Sequence, residues 1–165
     1  MMVSYSKIKY KRLMEFLAYL DKIEVEIIRI VEKAGYKLEE NTSLCLLSND
    51  YVGFFDKRKK VIIICTNNAK KREGYTILRK KDNDTFERTA LHIKKALRHE
   101  AVHVAQECNN GNLLNIDEKL SMSPLKLKAL NESIKISGER EKERQAYILE
   151  NKPKLVEKEL RRYCL

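Results

Sequence analysis

The residues that could carry out chemistry lie close together near the middle of the chain. His99 and His103 are two of the three histidines in the sequence, and Glu100 follows the first of them. Because positions four residues apart project from the same face of an α-helix, both imidazoles can reach a single Zn²⁺ ion. A carboxylate at Glu100 lies beside that face, where it can take a proton from water that the metal activates. The pattern therefore predicts a hydrolytic metal site with Glu100 as its general base.

The neighbours of this His-Glu-x-x-His motif favour a metal site over a charged helix whose histidines face water, which can produce the same three residues by chance. In both motif and flanks the chain resembles the zincin metallopeptidase superfamily, over roughly residues 85–150. The resemblance implies a Zn²⁺ cofactor and a peptide or protein substrate. The uncharged residues around the motif are Ala96, Leu97, Ala101, Val102, Val104 and Ala105.

A third metal ligand must come from elsewhere, because a catalytic zinc takes three protein ligands and keeps one open position. His92 is seven residues before His99, which on a helix is two turns or about 10.5 Å, too far for one ion. Some zincins have a glycine and a third histidine where this chain has Gln106 and Asn109. The resemblance therefore implies a carboxylate from a later helix, as in the gluzincin group.

The charged stretch over residues 139–150 supplies candidates for that carboxylate. Glu143 followed by Ala146 is similar to the Glu-x-x-Ala element of gluzincin families, which implies Glu143 as the third ligand. Glu139 is the alternative ligand, and a solvated charged face is the remaining interpretation. Those families often place Asp or Asn after the alanine, whereas this chain has Tyr147, which could orient a ligand, donate to an oxyanion or pack in the core. A helix over this stretch places on one face Glu139, Glu143, Ala146 and Glu150.

Length and composition predict a single domain over residues 1–165. The chain is 43% hydrophobic and 35% charged, with five glycines and two prolines, which is typical of an ordered and helix-rich protein. No stretch is apolar for long enough to cross a bilayer, and the N-terminus lacks the apolar core of a signal peptide. We therefore expect no membrane association, and the sequence does not indicate an oligomeric state.

The net charge of +10 is concentrated in one part of the chain, because residues 41–100 contain fourteen basic and seven acidic side chains. Basic clusters occur at residues 57–60, 70–72 and 79–81, and each is predicted to lie in a loop. These loops suggest an alternative function, a non-catalytic zinc-stabilised binding or regulatory module that contacts nucleic acid or an acidic partner. Lysines that merely interact with water would give the same pattern.

The hydrophobic pattern predicts an α+β fold in the order of a minimal zincin-like domain: an N-terminal helix, a small mostly antiparallel sheet, the motif-bearing helix and C-terminal helices. Helical periodicity covers residues 6–34, as one helix or as two broken near Asp21, and ends at Gly35. Strands are predicted at 44–47, 51–55, 61–65 and 75–78, with the third central and the fourth at an edge.

A capping box at residues 84–87 is predicted to open the motif-bearing helix, which the left-handed turn at 109–111 closes. Further helices are predicted over 124–134, over 139–150 and from there to about Tyr163.

The four cysteines, Cys45, Cys65, Cys108 and Cys164, have none of the spacings of a zinc ribbon. We expect them to be buried or half-buried free thiols, although an even number leaves disulfides open. Free thiols and the absence of a signal sequence predict a cytoplasmic protein.

Overall fold

The computed structural model describes residues 14–72, 83–116 and 122–165. Its secondary structure has the predicted order of an N-terminal helix, a small sheet, the motif-bearing helix and C-terminal helices, so the α+β fold class is confirmed. The strands are β1 (Lys37–Glu40), β2 (Gly53–Asp56) and β3 (Val61–Ile64). The helices are α1 (Lys22–Lys33), α2 (Thr66–Arg72), α3 (Asn83–Cys108), α4 (Pro124–Ser137), α5 (Arg140–Leu149) and α6 (Pro153–Cys164).

The predicted N-terminal helix is broken near Asp21. A 3₁₀ helix at Glu15–Tyr19 precedes α1, and Asp21 is the N-cap of α1. The backbone N–H of Asp21 donates to the Glu24 carboxylate at 3.1 Å, which completes a capping box. Gly35 follows the helix with a φ of +87°, a conformation that glycine adopts at little cost. Residues 6–13 of the predicted helix lie outside the described residues.

The sheet has the order β1-β3-β2, so the apolar strand β3 is central as predicted. β2 pairs with β3 in the antiparallel direction, whereas β1 pairs with β3 in the parallel direction, which makes the sheet mixed. All four residues of β3 are buried, because Ile62 and Ile64 belong to the main core while Val61 and Ile63 pack with Cys45 and Cys65 on the other face. Among the described strands, β2 lies at the edge of the sheet, and it packs against α3.

The first predicted strand, residues 44–47, is wrong. Ser43–Leu46 is a 3₁₀ helix, and Leu46 and Leu47 are 84% and 69% exposed. The buried amide of Asn68 donates to the carbonyl oxygens of Cys45, Ser48 and Tyr51, so these groups bond to a side chain rather than to a neighbouring strand. The polar segment Lys37–Glu40 forms β1 instead, and the strand predicted at 75–78 lies outside the described residues.

α3 is a 26-residue helix that packs against α1, α5, α6 and the sheet. It covers the predicted range, but it begins at Asn83, so the capping box predicted at residues 84–87 is wrong. Asp84 lies inside the first turn, where its carboxylate pairs with Arg88 at 2.8 Å. The left-handed residues Asn110 and Gly111 follow the helix, as predicted.

The three C-terminal helices are confirmed. The Ser123 hydroxyl accepts from the backbone N–H of Lys126 at 3.3 Å at the start of α4, and Gly138 follows its end with a φ of +72°. α5 and α6 then pack back on α3. None of the helices within the described ranges is both long and apolar enough to cross a membrane.

The prediction of free thiols is wrong, because the fold brings the cysteines together in two disulfide bonds. Cys45 pairs with Cys65, which joins the 3₁₀ helix to the end of β3, with their Cα atoms 5.5 Å apart. Cys108 pairs with Cys164, which joins the ends of α3 and α6, with their Cα atoms 5.2 Å apart. The paired residues are 20 and 56 positions apart, so no local spacing could have identified them.

The basic clusters differ in their placement. Residues 57–60 form the exposed turn between β2 and β3, as predicted. Residues 70–72 belong to the last turn of α2, so their placement in a loop is wrong. The cluster at 79–81 lies outside the described residues.

Candidate metal centre

Two helices bring the predicted metal ligands together. α3 presents His99 and His103 one turn apart, and α5 lies across it with Glu143 facing both imidazoles. The Nε2 atom of His99 is 3.1 Å from Oε2 of Glu143, and the Nε2 atom of His103 is 3.5 Å from Oε1 of the same carboxylate. These three side chains form a group that could hold a metal ion, since their ligand atoms all lie within 4.8 Å of one another.

The donor set and the two distances to Glu143 are compatible with a tetrahedral metal ion such as zinc. Imidazole nitrogens and carboxylate oxygens bind zinc at about 2.1 Å, so tetrahedral ligand atoms lie roughly 3.4 Å from each other. The two contacts between the histidines and Glu143, at 3.1 and 3.5 Å, are close to this separation. The fourth coordination position, which the three protein ligands leave open, would face the cleft that these residues line.

Each histidine is oriented through its other ring nitrogen. Nδ1 of His99 faces Oε2 of Glu150 at 3.3 Å, and Nδ1 of His103 faces Oε1 of Gln106 at 2.9 Å. When Nδ1 carries the proton and donates a hydrogen bond to these oxygens, Nε2 keeps a free lone pair. Both histidines therefore present the nitrogen that can bind a metal toward Glu143.

The electrostatics of the group are those of a cation site. Burial by itself lowers the pKa of His99, but hydrogen bonds to Glu143 and Glu150, together with the negative charges of Glu100 and Glu150, outweigh burial and raise that pKa to about 10. Burial raises the pKa of Glu143, and hydrogen bonds from His103 and His99 overcome this effect and hold the pKa well below its ordinary value. The group favours positive charge between its side chains, which a proton or a metal ion can supply.

Glu100 lies beside the metal group on the wall of a cleft. Its side chain is 8% exposed, and burial raises the pKa of its carboxyl group. Gly53 of β2 lies against it, because a Cβ atom at that position would be 2.9 Å from Oε1 of Glu100 and 3.2 Å from Cβ of Ala96. Glycine at the start of β2 thus lets the edge strand lie directly beside the carboxylate.

Tyr147 contacts the metal group from α5. Its ring meets the His99 imidazole edge to face, with centroids 4.4 Å apart, and its hydroxyl is 2.8 Å from Oγ of Ser133. Burial raises the pKa of the Tyr147 hydroxyl to about 12, so the hydroxyl is protonated and able to donate. Of the predicted roles, the contacts fit best a tyrosine that orients a histidine from a half-buried position.

Neither Glu139, the alternative ligand, nor His92, which the spacing excluded, belongs to the metal group of the described residues. Glu139 is exposed, and Lys142 pairs with it at 2.8 Å and lowers the pKa of its carboxyl group through this hydrogen bond. His92 is half-buried on α3, two turns before His99, as predicted from the spacing. Within the described ranges, neither residue is part of a cluster that could hold a metal ion.

Three supporting residues escaped the sequence analysis. Glu150 had a signal, since it shares a helical face with Glu143, but its contact with His99 spans 51 positions. The sequence identified Gln106 only as a difference from those zincins that have a glycine at this position. In the structure, Gln106 orients His103, and its amide also donates to Gln145 at 3.0 Å. Gly53 gave no signal, because its role depends on how β2 packs against α3.

Two clefts flank the group along α3. The downstream cleft, of about 290 Å³, follows His103, Gln106 and Glu107 and includes Lys57 and Glu143. The upstream cleft, of about 220 Å³, runs toward the start of α3. It is lined on α3 by His92, Lys95 and Ala96, and elsewhere by Asp50, Arg72 and Tyr147. The residues that line both clefts are Tyr51, Gly53, His99, Glu100 and Ser133.

The fold and this group of side chains define an α+β protein with a candidate metal centre of two histidines and one glutamate. The chain belongs to the family described as Domain of unknown function (DUF8637), whose model matches residues 16–165. No curated protein and no solved structure matches the chain. The matched range includes the metal group and both clefts, so the candidate site is part of the family domain.

Proposed function

We propose that this protein is a zinc-dependent peptidase of the zincin type, and that His99, His103 and Glu143 hold the metal. The observation that carries the proposal is the convergence of both Nε2 atoms on the Glu143 carboxylate at the wall of an open cleft, with Glu100 beside them. A structural zinc site is closed by four protein ligands, whereas three ligands facing a cleft leave a position for water or substrate.

The roles of the side chains follow from their positions. When bound, zinc lowers the pKa of water toward 7 and polarises the scissile carbonyl group. Glu100 takes the proton from water and passes it to the leaving amine, because its carboxylate lies beside the group on the cleft wall. Glu150 and Gln106 keep His99 and His103 in the orientation that the metal requires.

The edge strand supports a peptide as the substrate. β2 pairs on one side with β3 and is an edge strand among the strands that the structure describes, and it packs against α3. An extended peptide could add to this edge through main-chain hydrogen bonds, which would place it beside Gly53 and Glu100.

Metal content tests the ligand assignment. We expect protein purified without a histidine tag to contain one zinc per chain by elemental analysis, and we expect Glu143→Gln and His103→Ala to lose it. Glu139→Gln and His92→Ala are the matched controls, because they remove the same groups from outside the metal group. Retention of zinc by Glu143→Gln together with its loss from Glu139→Gln would reject the assignment.

Turnover tests the role of Glu100. The Glu100→Gln variant should keep its zinc and lose about 10²- to 10⁴-fold in kcat on a peptide mixture, because the general base is removed. Glu87→Gln is the control, since Glu87 is exposed on the same helix and lines neither cleft. Undiminished cleavage by Glu100→Gln would exclude this residue as the base.

The rival prediction is a zinc-stabilised module that does not catalyse. Bound zinc with no cleavage of any peptide, together with DNA binding that weakens as salt is raised, would support it. The exposed basic turn at residues 57–60 is the place where such a contact would be sought.

A further inference from the structure

The two clefts differ in their charge. In the upstream cleft, Arg72 comes from the end of α2 and Lys95 from α3, with His92 one turn before Lys95. In the part of the chain that the structure describes, neither Arg72 nor Lys95 forms an ion pair with an acidic side chain. The same cleft is also lined by the carboxylates of Asp50, Glu100 and Glu150.

Of these three carboxylates, that of Glu150 is already compensated. Oε1 of Glu150 is 3.3 Å from the ammonium of Lys126, and its Oε2 faces His99. In the downstream cleft, by contrast, Lys142 pairs with Glu139 at 2.8 Å, so that one of its cations is neutralised. The upstream cleft therefore has two cations available to a ligand, and the downstream cleft has Lys57 alone as an unpaired cation among its described lining residues.

The position of Lys95 relates these cations to the metal group. Lys95 lies four residues before His99 on the same helix, one turn or about 6 Å along the axis. Both clefts share Tyr51, Gly53 and Glu100, so an extended ligand could occupy the two at once and cross the metal group between them. Its part in the upstream cleft would then lie within reach of Lys95 and Arg72.

We propose that the upstream cleft is a subsite for a carboxylate group of the peptide substrate, held by Lys95 and Arg72. This proposal rests on the peptidase function proposed above and adds the chemical class of peptide that the site prefers. The carboxylate could belong to an Asp or Glu side chain or to the C-terminus of the peptide, since both present the same two oxygens to a cation.

Peptide binding to a variant that does not cleave the peptide tests the subsite directly. The zinc-loaded Glu100→Gln variant is titrated into fluorescein-labelled ten-residue peptides, and Kd is measured by anisotropy at low salt. One peptide has an internal Glu and an amidated C-terminus, its partner has Gln instead, and a third has no acidic side chain but a free C-terminus. We expect the Glu peptide to bind about fivefold more tightly than the Gln peptide, the range of a partly exposed ion pair.

A second substitution shows where the preference arises. Lys95→Gln in the Glu100→Gln background should abolish the fivefold difference, whereas Lys158→Gln should leave it, because Lys158 is exposed on α6 and removes the same charge from outside both clefts. Preference for the third peptide over its amidated form, lost with Lys95→Gln, would assign the subsite to the chain terminus.

The outcomes separate this proposal from the peptidase function. Equal Kd values for all peptides, or a preference that survives Lys95→Gln, overturns the carboxylate subsite even if wild-type protein cleaves peptides. Failure of wild-type protein to cleave any peptide, while the Lys95-dependent preference persists, overturns the peptidase and leaves the subsite standing. No measurable binding of any peptide overturns the subsite.

Discussion

At the scale of single residues, the metal group depends on how each imidazole is held. A histidine that binds a metal through Nε2 has to keep its proton on Nδ1, and an acceptor at that nitrogen fixes both the tautomer and the ring plane. Glu150 supplies this acceptor for His99 at 3.3 Å, and the ring of Tyr147 packs against the same imidazole. Gln106 supplies it for His103. The three metal ligands are therefore only part of the site, which also includes the residues that orient them.

Glu150→Ala should weaken zinc binding without removing a ligand. Loss of an oriented acceptor at a metal-bound histidine costs about 10- to 100-fold in affinity, so we expect the zinc Kd to rise by about tenfold or more. The Kd is measured by competition with a chromogenic chelator. Glu132→Ala is the control, because Glu132 is an exposed glutamate on α4 that pairs with Lys135 and lines neither cleft. An unchanged Kd for Glu150→Ala would show that His99 is oriented by other contacts.

At the scale of elements, α3 is positioned by a buried ion pair next to the motif. The Arg98 guanidinium donates to the Glu24 carboxylate on α1 at 2.8 Å and to the carbonyl oxygen of Glu150 at the end of α5 at 3.2 Å. Glu24 is fully buried and also completes the capping box of α1. One arginine thus joins three helices one residue before the first metal ligand.

Glu24→Gln isolates the charge of this pair, because glutamine can still accept the hydrogen bond at the N-cap. We expect the free energy of unfolding to fall by about 3 kcal/mol, the cost of leaving the Arg98 guanidinium buried without its counter-charge. The measurement is unfolding in guanidinium chloride. Glu26→Gln, which removes a half-buried surface partner of Arg29 and Arg161, should cost much less. Equal losses in the two variants would argue against a special role for the buried pair.

In two short segments the observed secondary structure differs from the one that the sequence pattern predicts. The apolar stretch at 44–47 suggested a strand, but the Asn68 amide and the Cys45–Cys65 bond hold it as a 3₁₀ turn. The polar strand Lys37–Glu40 gave no such suggestion, because an edge strand exposed on one side needs few apolar residues. Both outcomes follow from tertiary contacts, which override local β propensity in short segments.

At the scale of the whole molecule, the two disulfides join segments that are far apart in the sequence. Cys108–Cys164 joins the end of the motif-bearing helix to the last helix, and Cys45–Cys65 holds the segment before β2 against the sheet. The prediction of a cytoplasmic location was partly based on free thiols, and the two disulfides leave none among these four cysteines. Disulfides persist mainly in oxidising compartments. The location itself stays a prediction.

Removal of either disulfide should destabilise the fold, and the bond that encloses the longer segment should cost more. With 56 positions between its cysteines, loss of Cys108–Cys164 should cost about 4 kcal/mol, and loss of Cys45–Cys65, with 20 positions, about 3 kcal/mol. Paired Cys→Ser variants and unfolding curves measure both values. The control is the native protein with and without reductant, whose midpoint should fall on reduction. Four reactive thiols in protein produced under oxidising conditions would contradict both bonds.

The sequence by itself determined the parts of this protein that depend on local geometry. Helical spacing places His99 and His103 on one face of α3, and the same periodicity puts Glu143 and Ala146 on the inner face of α5. The apolar run of β3 likewise specified a buried central strand. Such features are readable because each follows from residues within a few positions of one another.

Only the tertiary structure decided which distant groups meet. Glu150 reaches His99 across 51 positions, and the sequence offers several other glutamates in the same region. The cysteines pair across 20 and 56 positions, and four cysteines allow three different pairings. The close approach of Gly53 to Glu100 and the shared walls of the two clefts likewise depend on how β2 packs beside α3 and how α4 packs on α5. These contacts form when buried surfaces are matched throughout the core, and no short pattern encodes that matching.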